Sequence, residues 1–168
     1  MYKTYIKDNA LSVDECDELI NTSKSLMGEK LSSPWNYSFY DFPKENKLLA
    51  SVGTKLVSEY VQLYPEINLT FNRWYLEPFR IKKFKPGEYY DDWHSEQGFN
   101  LPRIASVLVY LSDHNCGTEF CDNEIVYSKK GRAMIFPASW THTHRGQPCP
   151  ENKPRFIMSS YIVLMDDQ

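Results

Sequence analysis

The sequence has no apolar run long enough to span a bilayer, so a helical membrane anchor is not expected. It also lacks the apolar core of a secretory leader: Met1 to Ala10 carries Lys3, Lys7 and Asp8 and reads as ordinary chain, which points to a soluble, cytoplasmic protein. No long basic run occurs and the formal charge is only −3, so nothing advertises nucleic acid or an anionic membrane as a partner. The four cysteines include no C-x-x-C pair, and Cys116, Cys121 and nearby His114 are badly spaced for a zinc knuckle; reduced thiols are the expectation. There is no internal repeat and no low-complexity tract, and 168 residues make one domain with a sizeable core.

Aromatic residues are abundant instead, at 15% with 12 tyrosines, more than a small core needs and compatible with a ligand groove. Ser12-Val13-Asp14-Glu15 has the form of a capping box, and Leu19, Ile20 and Leu26 follow at helical spacing, predicting a helix over Val13–Met27 with Gly28 at its end. Leu48, Leu49, Val52, Leu56, Val57, Tyr60 and Val61 recur at three and four, predicting a second helix over Lys44–Leu63. Between them Pro34 to Pro43, with Trp35, Tyr37 and Phe39, reads as an edge strand or extended loop.

Past Ile67 the texture turns to short β-branched and aromatic runs separated by turn residues: Asn68–Trp74, Phe79–Lys85, Ile104–Leu111, Glu124–Tyr127, Ala133–Phe136 and Phe156–Leu164. Strands following two helices indicate an α+β chain: a double-stranded β-helix (jelly roll, cupin-like) over residues 66–165, with two N-terminal supporting helices in residues 1–65.

Within that β part, Asp92-Trp93-His94-Ser95-Glu96 places a histidine and a carboxylate two apart, so both look to one side of an extended segment. A histidine arriving from a distant strand would complete a 2-His-1-carboxylate triad, which holds Fe(II) and leaves adjacent positions open. His142 and His144, themselves two apart, are the candidates for that second imidazole.

The order of segments around these residues resembles the Fe(II)/2-oxoglutarate-dependent oxygenases, in their prolyl 4-hydroxylase-like branch. Five stretches carry the resemblance: Phe84 to Glu96 with its Gly87 and Tyr90; Arg103 to Leu111, ending Tyr-Leu; Gly117-Thr118-Glu119-Phe120; Gly131 to Pro137; and Thr143-His144-Arg145-Gly146 followed by Arg155. It covers residues 80–165; the first half carries no family signature, Glu96 stands where aspartate is commoner, and the loop before His94 has one residue more than usual.

The resemblance implies His94, Glu96 and His144 as iron ligands, with His142 beside the ligands or against the substrate. It implies Arg155 for the far carboxylate of 2-oxoglutarate, Lys153 being the rival cation. Ser159 shares the Arg155 face of an extended strand and Tyr110 is the tyrosine of the Tyr-Leu segment, so both join it as candidates, Tyr110 reading equally as a core residue. Iron, 2-oxoglutarate and oxygen, with ascorbate as a supporting reductant, would give succinate, carbon dioxide and a hydroxyl on an unactivated C–H bond. Peptidyl proline leads as substrate; a free amino acid or other small metabolite, a cupin-type metalloenzyme without 2-oxoglutarate, and a non-catalytic binding module are the alternatives. Oligomeric state is not encoded in any feature read here.

Overall fold

The computed structural model describes residues 2–25, 46–70, 73–98 and 102–165, together with the backbone of 38–41. Helix α1 spans Val13–Ser25. The expected capping box is formed: the Ser12 N–H donates to Glu15 Oε2 at 2.7 Å and the Glu15 N–H to Ser12 Oγ at 3.2 Å. Met27 and Gly28, its expected end, lie outside the described residues. Helix α2 spans Lys47–Leu63 and starts later than its periodicity indicates because Asn46 takes the Leu49 N–H at 3.1 Å on its side chain, a cap that fixes the first turn.

A short helix α3, Glu66–Thr70, replaces the beginning of the strand expected at Asn68. Pro65 has its φ preset for a first helical turn and no N–H to lose there, and its carbonyl accepts from Asn68 at 3.1 Å. The local start of a helix thus outweighs the β-branched composition that follows.

The strands form two antiparallel sheets. Strands β1 (Tyr5–Lys7), β2 (Ser38–Asp41), β3 (Trp74–Leu76), β4 (Arg80–Phe84), β5 (Arg103–Tyr110), β8 (Ala133–Pro137) and β10 (Arg155–Leu164) make the larger sheet, in the order β1-β8-β5-β10-β4-β2 with β3 also paired to β10. Strands β6 (Gly117–Phe120), β7 (Ile125–Tyr127) and β9 (His144–Gly146) make the smaller, in the order β7-β6-β9. Strand β2, from the proline-bounded stretch, is an edge of the larger sheet, as its composition leads one to expect. Strands β1, β6 and β9 are too short to show a period and are recognisable only in the fold. β1 is anchored by Lys7 on Glu59 of α2 at 2.6 Å and by Arg132 Nε on Asp8 at 2.6 Å.

Alternation along the strands splits the interior in two. One face of the large sheet, with Ile81, Val107, Val109, Ile135, Met158 and Ile162, packs with Leu19 of α1 and Leu49, Leu56 and Tyr60 of α2. The opposite face, with Phe84, Leu108, Tyr110, Phe136 and Ile157, packs with Phe120 and Val126 of the small sheet. The first face holds the fold together by burying apolar area. The second is where the sheets diverge around a cavity.

The cysteine expectation is corrected: Cys116 and Cys149 are joined as a disulfide with their Cα atoms 5.0 Å apart, while Cys16 is free and buried and Cys121 free and exposed. The two partners lie 33 residues apart on different loops, so no sequence motif announces them. Among the described residues no helix is long and apolar enough to cross a membrane.

Glycine is required at Gly117, where an added Cβ would fall on the Val126 carbonyl of the neighbouring strand, a backbone obstacle that cannot swing aside. Gly117→Ala should cost roughly 2 kcal/mol or more. Gly87 has φ +82° with open space around it, so Gly87→Ala should cost only the left-handed backbone penalty, about 1 kcal/mol. Urea midpoints of the two variants check the order.

Candidate metal centre

The turn after β4 closes on itself, the Lys85 N–H donating to Glu88 Oε2 at 2.7 Å, and releases an extended segment that runs antiparallel to β9. Gly146 N–H donates to the Tyr90 carbonyl at 2.7 Å, and His94 and His144 exchange both backbone hydrogen bonds, at 3.0 and 2.9 Å. Residues directly opposite in such a pair project to the same face, so the two imidazoles become neighbours, their ring centroids 4.4 Å apart. Glu96, two residues beyond His94, turns to the same side.

Each imidazole is then oriented by its own backbone. His94 Nδ1 lies 2.8 Å from the Asp92 carbonyl and His144 Nδ1 2.9 Å from the His142 carbonyl. A carbonyl can only accept, so each Nδ1 carries the proton and each Nε2 presents a lone pair. Glu96 Oε1 stands 3.8 Å from both Nε2 atoms, while Glu96 Oε2 is held at 3.2 Å by Arg103 Nη1. The Arg103 guanidinium is in turn stacked 3.5 Å over the Tyr161 ring.

Electrostatics set the protonation states of this cluster. Burial by itself would raise the Glu96 carboxyl, but the adjacent His94 ring and the positive charge of Lys82 outweigh it and hold the group at about 2. Burial first, and the neighbouring His94 second, push His144 down to about 4. An ionised carboxylate and the Nε2 lone pairs that the backbone carbonyls direct inward therefore converge on one side of the pocket with no positive atom between them. The three ligand atoms lie within 4.8 Å of one another, and this donor set fits a divalent cation of the iron class.

The triad lines a cavity of about 240 Å³ that Tyr90, Thr118 and Arg155 also line. Arg155 is 2% exposed, lies opposite Phe84 in the sheet register with its guanidinium 4.7 Å over that ring, and has no carboxylate partner among the described residues. Its Nη1 donates to Cys116 Sγ at 3.1 Å and its Nε is buried without a hydrogen bond. A buried cation so placed presents donor capacity to whatever anion enters.

The other expected residues fall less simply. Tyr110 is fully buried behind the cavity wall, its hydroxyl 2.7 Å from Thr118 Oγ1 and 3.1 Å from the Val126 carbonyl, so that Thr118 reaches the cavity in its place. Ser159 shares the strand face of Arg155, Ile157 and Tyr161, but it does not line the cavity and its buried Oγ has no hydrogen bond. His142 turns away from the triad and donates from Nε2 to the Tyr2 carbonyl at 2.6 Å, contributing only its own carbonyl to His144. Lys153 is exposed.

Reading the sequence alone missed Arg80, Lys82, Arg103 and Thr118, all on the cavity wall. The alternation Arg80, Lys82, Phe84 along one strand face was the available signal for two of them. Of the aromatic residues beside His94 that could form a groove, Tyr90 packs tilted against His94 with ring centroids 4.3 Å apart, and exposed Trp93 carries the Arg145 guanidinium at 4.6 Å. Phe99, Trp35 and Tyr37 lie outside the described residues, as do the prolines that bound their stretch.

No protein-family model and no curated protein sequence matches this chain. Solved structures do. A viral collagen prolyl hydroxylase from Paramecium Bursaria Chlorella virus-1, determined as a 2OG complex, superposes with a TM-score of 0.76 at 21% identity, covering 98% of this chain and 97% of its own. A Pseudomonas putida prolyl-4-hydroxylase gives 0.70 at 16% identity over 98% and 94%. The fold is that of the prolyl hydroxylases. A third structure with it, a Trichoplax adhaerens prolyl hydroxylase in complex with a hypoxia inducible factor oxygen degradation domain peptide fragment, gives 0.66 at 13% identity over 96% and 83%. The prolyl hydroxylase fold thus extends across the helices of the first half, where the sequence carries no family signature.

A pH dependence follows for the metal-free protein. Because the folded pKa of His144 is depressed, its contribution to stability is present above the ordinary value of 6.5 and lost as pH falls toward about 4; that of Glu96 is lost between 4.5 and about 2. The urea midpoint should hold level above about pH 6.5 and decline below it, and His144→Gln should flatten the upper part of that decline.

Proposed function

We propose that this chain is an Fe(II)- and 2-oxoglutarate-dependent dioxygenase that hydroxylates an unactivated C–H bond, most plausibly of peptidyl proline. One observation carries the reading: a converging His94, Glu96 and His144 and a buried Arg155, without a carboxylate partner among the described residues, line the same cavity. We read residues 1–168 as a single catalytic domain and the two sheets as the halves of a double-stranded β-helix.

In this reading His94, Glu96 and His144 hold the iron, and Arg155 takes the far carboxylate of 2-oxoglutarate with Thr118 as its neutral partner. Tyr110 acts through Thr118, fixing its hydroxyl, while Ser159, which shares the Arg155 strand face but does not line the cavity, supports the wall behind it. Iron, when bound with 2-oxoglutarate and oxygen, supplies the oxidising power that places a hydroxyl on carbon and leaves succinate and carbon dioxide. The protein's residues bind, orient and exclude water. The backbone carbonyls of Asp92 and His142 keep both Nε2 lone pairs directed inward, Arg103 occupies one carboxylate oxygen so that the other is left for metal, and Phe84, Leu108 and Ile157 keep the cavity dry. Tyr90 and Trp93 offer aromatic surface beside the site on which an extended, proline-containing peptide can dock with little loss of chain entropy.

Arg80 and Lys82 on the cavity wall favour a second reading, in which the substrate is a small acidic metabolite or free amino acid. Lys82→Met separates the two: it should raise the substrate KM for an acid and leave a neutral proline peptide unaffected.

His94→Ala, Glu96→Ala and His144→Ala should each lose iron and abolish succinate release, whereas His142→Ala should retain iron, since only its ring is removed. Metal content and 2-oxoglutarate turnover check this. Arg155→Ala should raise the 2-oxoglutarate KM by roughly tenfold or more, about 2 kcal/mol of charge-assisted binding, with Arg155→Lys recovering part. An unchanged KM would remove Arg155 from the role. Proline peptides incubated with the complete system, ascorbate included, should gain one oxygen by mass spectrometry. We place this activity in the cytoplasm, where thiols are kept reduced and Cys116 and Cys149 would stand as a dithiol.

A further inference from the structure

A second cluster of metal-ligating side chains lies on the loops behind Arg155, apart from the iron triad. The connection from β5 to β6 carries His114 and Cys116, two apart; the connection from β9 to β10 carries Cys149 and Glu151, again two apart. One ligand atom from each of His114, Cys149 and Glu151 falls within 4.8 Å of the others, and Cys116 is the bonded neighbour of Cys149.

The hydrogen bonding around His114 leaves a specific gap. Its side chain is fully buried, and its Nε2 sits 3.3 Å from the Pro154 carbonyl, which can only accept; Nε2 therefore carries the proton and Nδ1 a lone pair. That lone pair faces Glu151 Oε2 at 3.4 Å, and neither atom has a hydrogen bond. Two acceptors held in contact by the backbone need something positive between them, either a proton or a metal cation. The arrangement is rigid: the Asn115 N–H fixes the other Glu151 oxygen at 2.7 Å, and Ser128 pairs its backbone with both His114 and Cys116 at 3.0 and 2.9 Å. Arg155 Nη1, 3.1 Å from Cys116 Sγ, adds a positive neighbour that favours a thiolate there.

We propose that His114, Cys116, Cys149 and Glu151 form a second metal site, for a thiophilic divalent cation of the zinc class, in the dithiol form of the chain. One imidazole, two thiolates and one carboxylate make a complete tetrahedral set once the reduced Cys116 side chain turns to the cluster that His114, Cys149 and Glu151 already form. The disulfide and the metal are alternative occupants of the same place. Reduction of the Cys116–Cys149 bond by a dithiol reductant consumes two electrons and two protons and oxidises the reductant to its disulfide. Capture of the cation by the two thiols releases two protons to solvent. The site would tie the β5–β6 and β9–β10 connections together immediately beside Arg155. Its existence does not depend on the activity assigned to the triad.

The test uses the full chain, fully reduced, titrated with Zn²⁺ and separately with Co²⁺. The intact chain should take two equivalents, and a His94→Ala/His144→Ala variant, stripped of the first site, should take one. Its cobalt form should show a sulfur-to-metal charge-transfer band, which nitrogen and oxygen ligands of the iron triad cannot give. Cys149→Ser should weaken that band to roughly half and Cys116→Ser/Cys149→Ser should abolish it, Glu151→Gln should weaken binding by about tenfold or more, and the chain oxidised to the disulfide should take no second equivalent. If the reduced intact chain stops at one equivalent, or if its cobalt form lacks the thiolate band, the proposal is wrong and His114 with Glu151 is an imidazolium–carboxylate pair beside a structural disulfide. Because the intact chain supplies both the count and the band, the outcome is decisive even where a ligand variant fails to fold.

Discussion

The pairing of His94 with His144 is the constraint on which the site depends. Two backbone hydrogen bonds bring together residues fifty positions apart and, by the geometry of an antiparallel pair, place both imidazoles on one face. Backbone carbonyls then fix both tautomers, and Arg103 fixes the carboxylate between them. Few side-chain contacts are needed because the main chain does most of the aiming. What results is a convergence of lone pairs, unfavourable by itself, that a divalent cation would turn into a stable arrangement.

Stability and chemistry are assigned to opposite faces of one sheet. Along β10, Phe156, Met158 and Ile162 pack toward the helices, while Arg155, Ile157 and Tyr161 line the cavity. The helices of the first half therefore support the site without touching it, by burying the apolar face against which β4, β5 and β10 are laid. The small sheet does the complementary work: Thr118 reaches the cavity from β6, and β9 delivers His144. Arg155 lies where these parts meet, between Phe84, the cavity and the Cys116–Cys149 linkage, so the loops joining the sheets border the position expected to hold the co-substrate.

Local pattern made much of this legible. The apolar spacing of Leu48 to Val61 specifies α2, the β-branched runs specify β5 and β10, and the two-residue step from His94 to Glu96 puts both on one side of any extended segment. The same parity argument places Arg155 and Ser159 on one strand face. Period reports which residues share a face and is silent about what that face will meet. Ser159 thus came with the correct orientation and without a cavity in front of it, and Tyr110, expected at the anion position, stands behind Thr118, which lines the cavity.

The sequence by itself determined the helix-then-strand order, the inward set of each long strand and the kinds of side chain available to hold a metal and an anion. Parity could not choose between His142 and His144, and the family pattern favoured His144; the tertiary structure shows why, since the 3-10 turn at Trp140–His142 sends one ring to Tyr2 and leaves the other on β9. The tertiary structure alone decided that Arg103 restrains Glu96, that Lys82 enters the cavity, and that Cys116 meets Cys149 rather than Cys121. These contacts are set by strand register and loop closure, and none is written in any local spacing of residues.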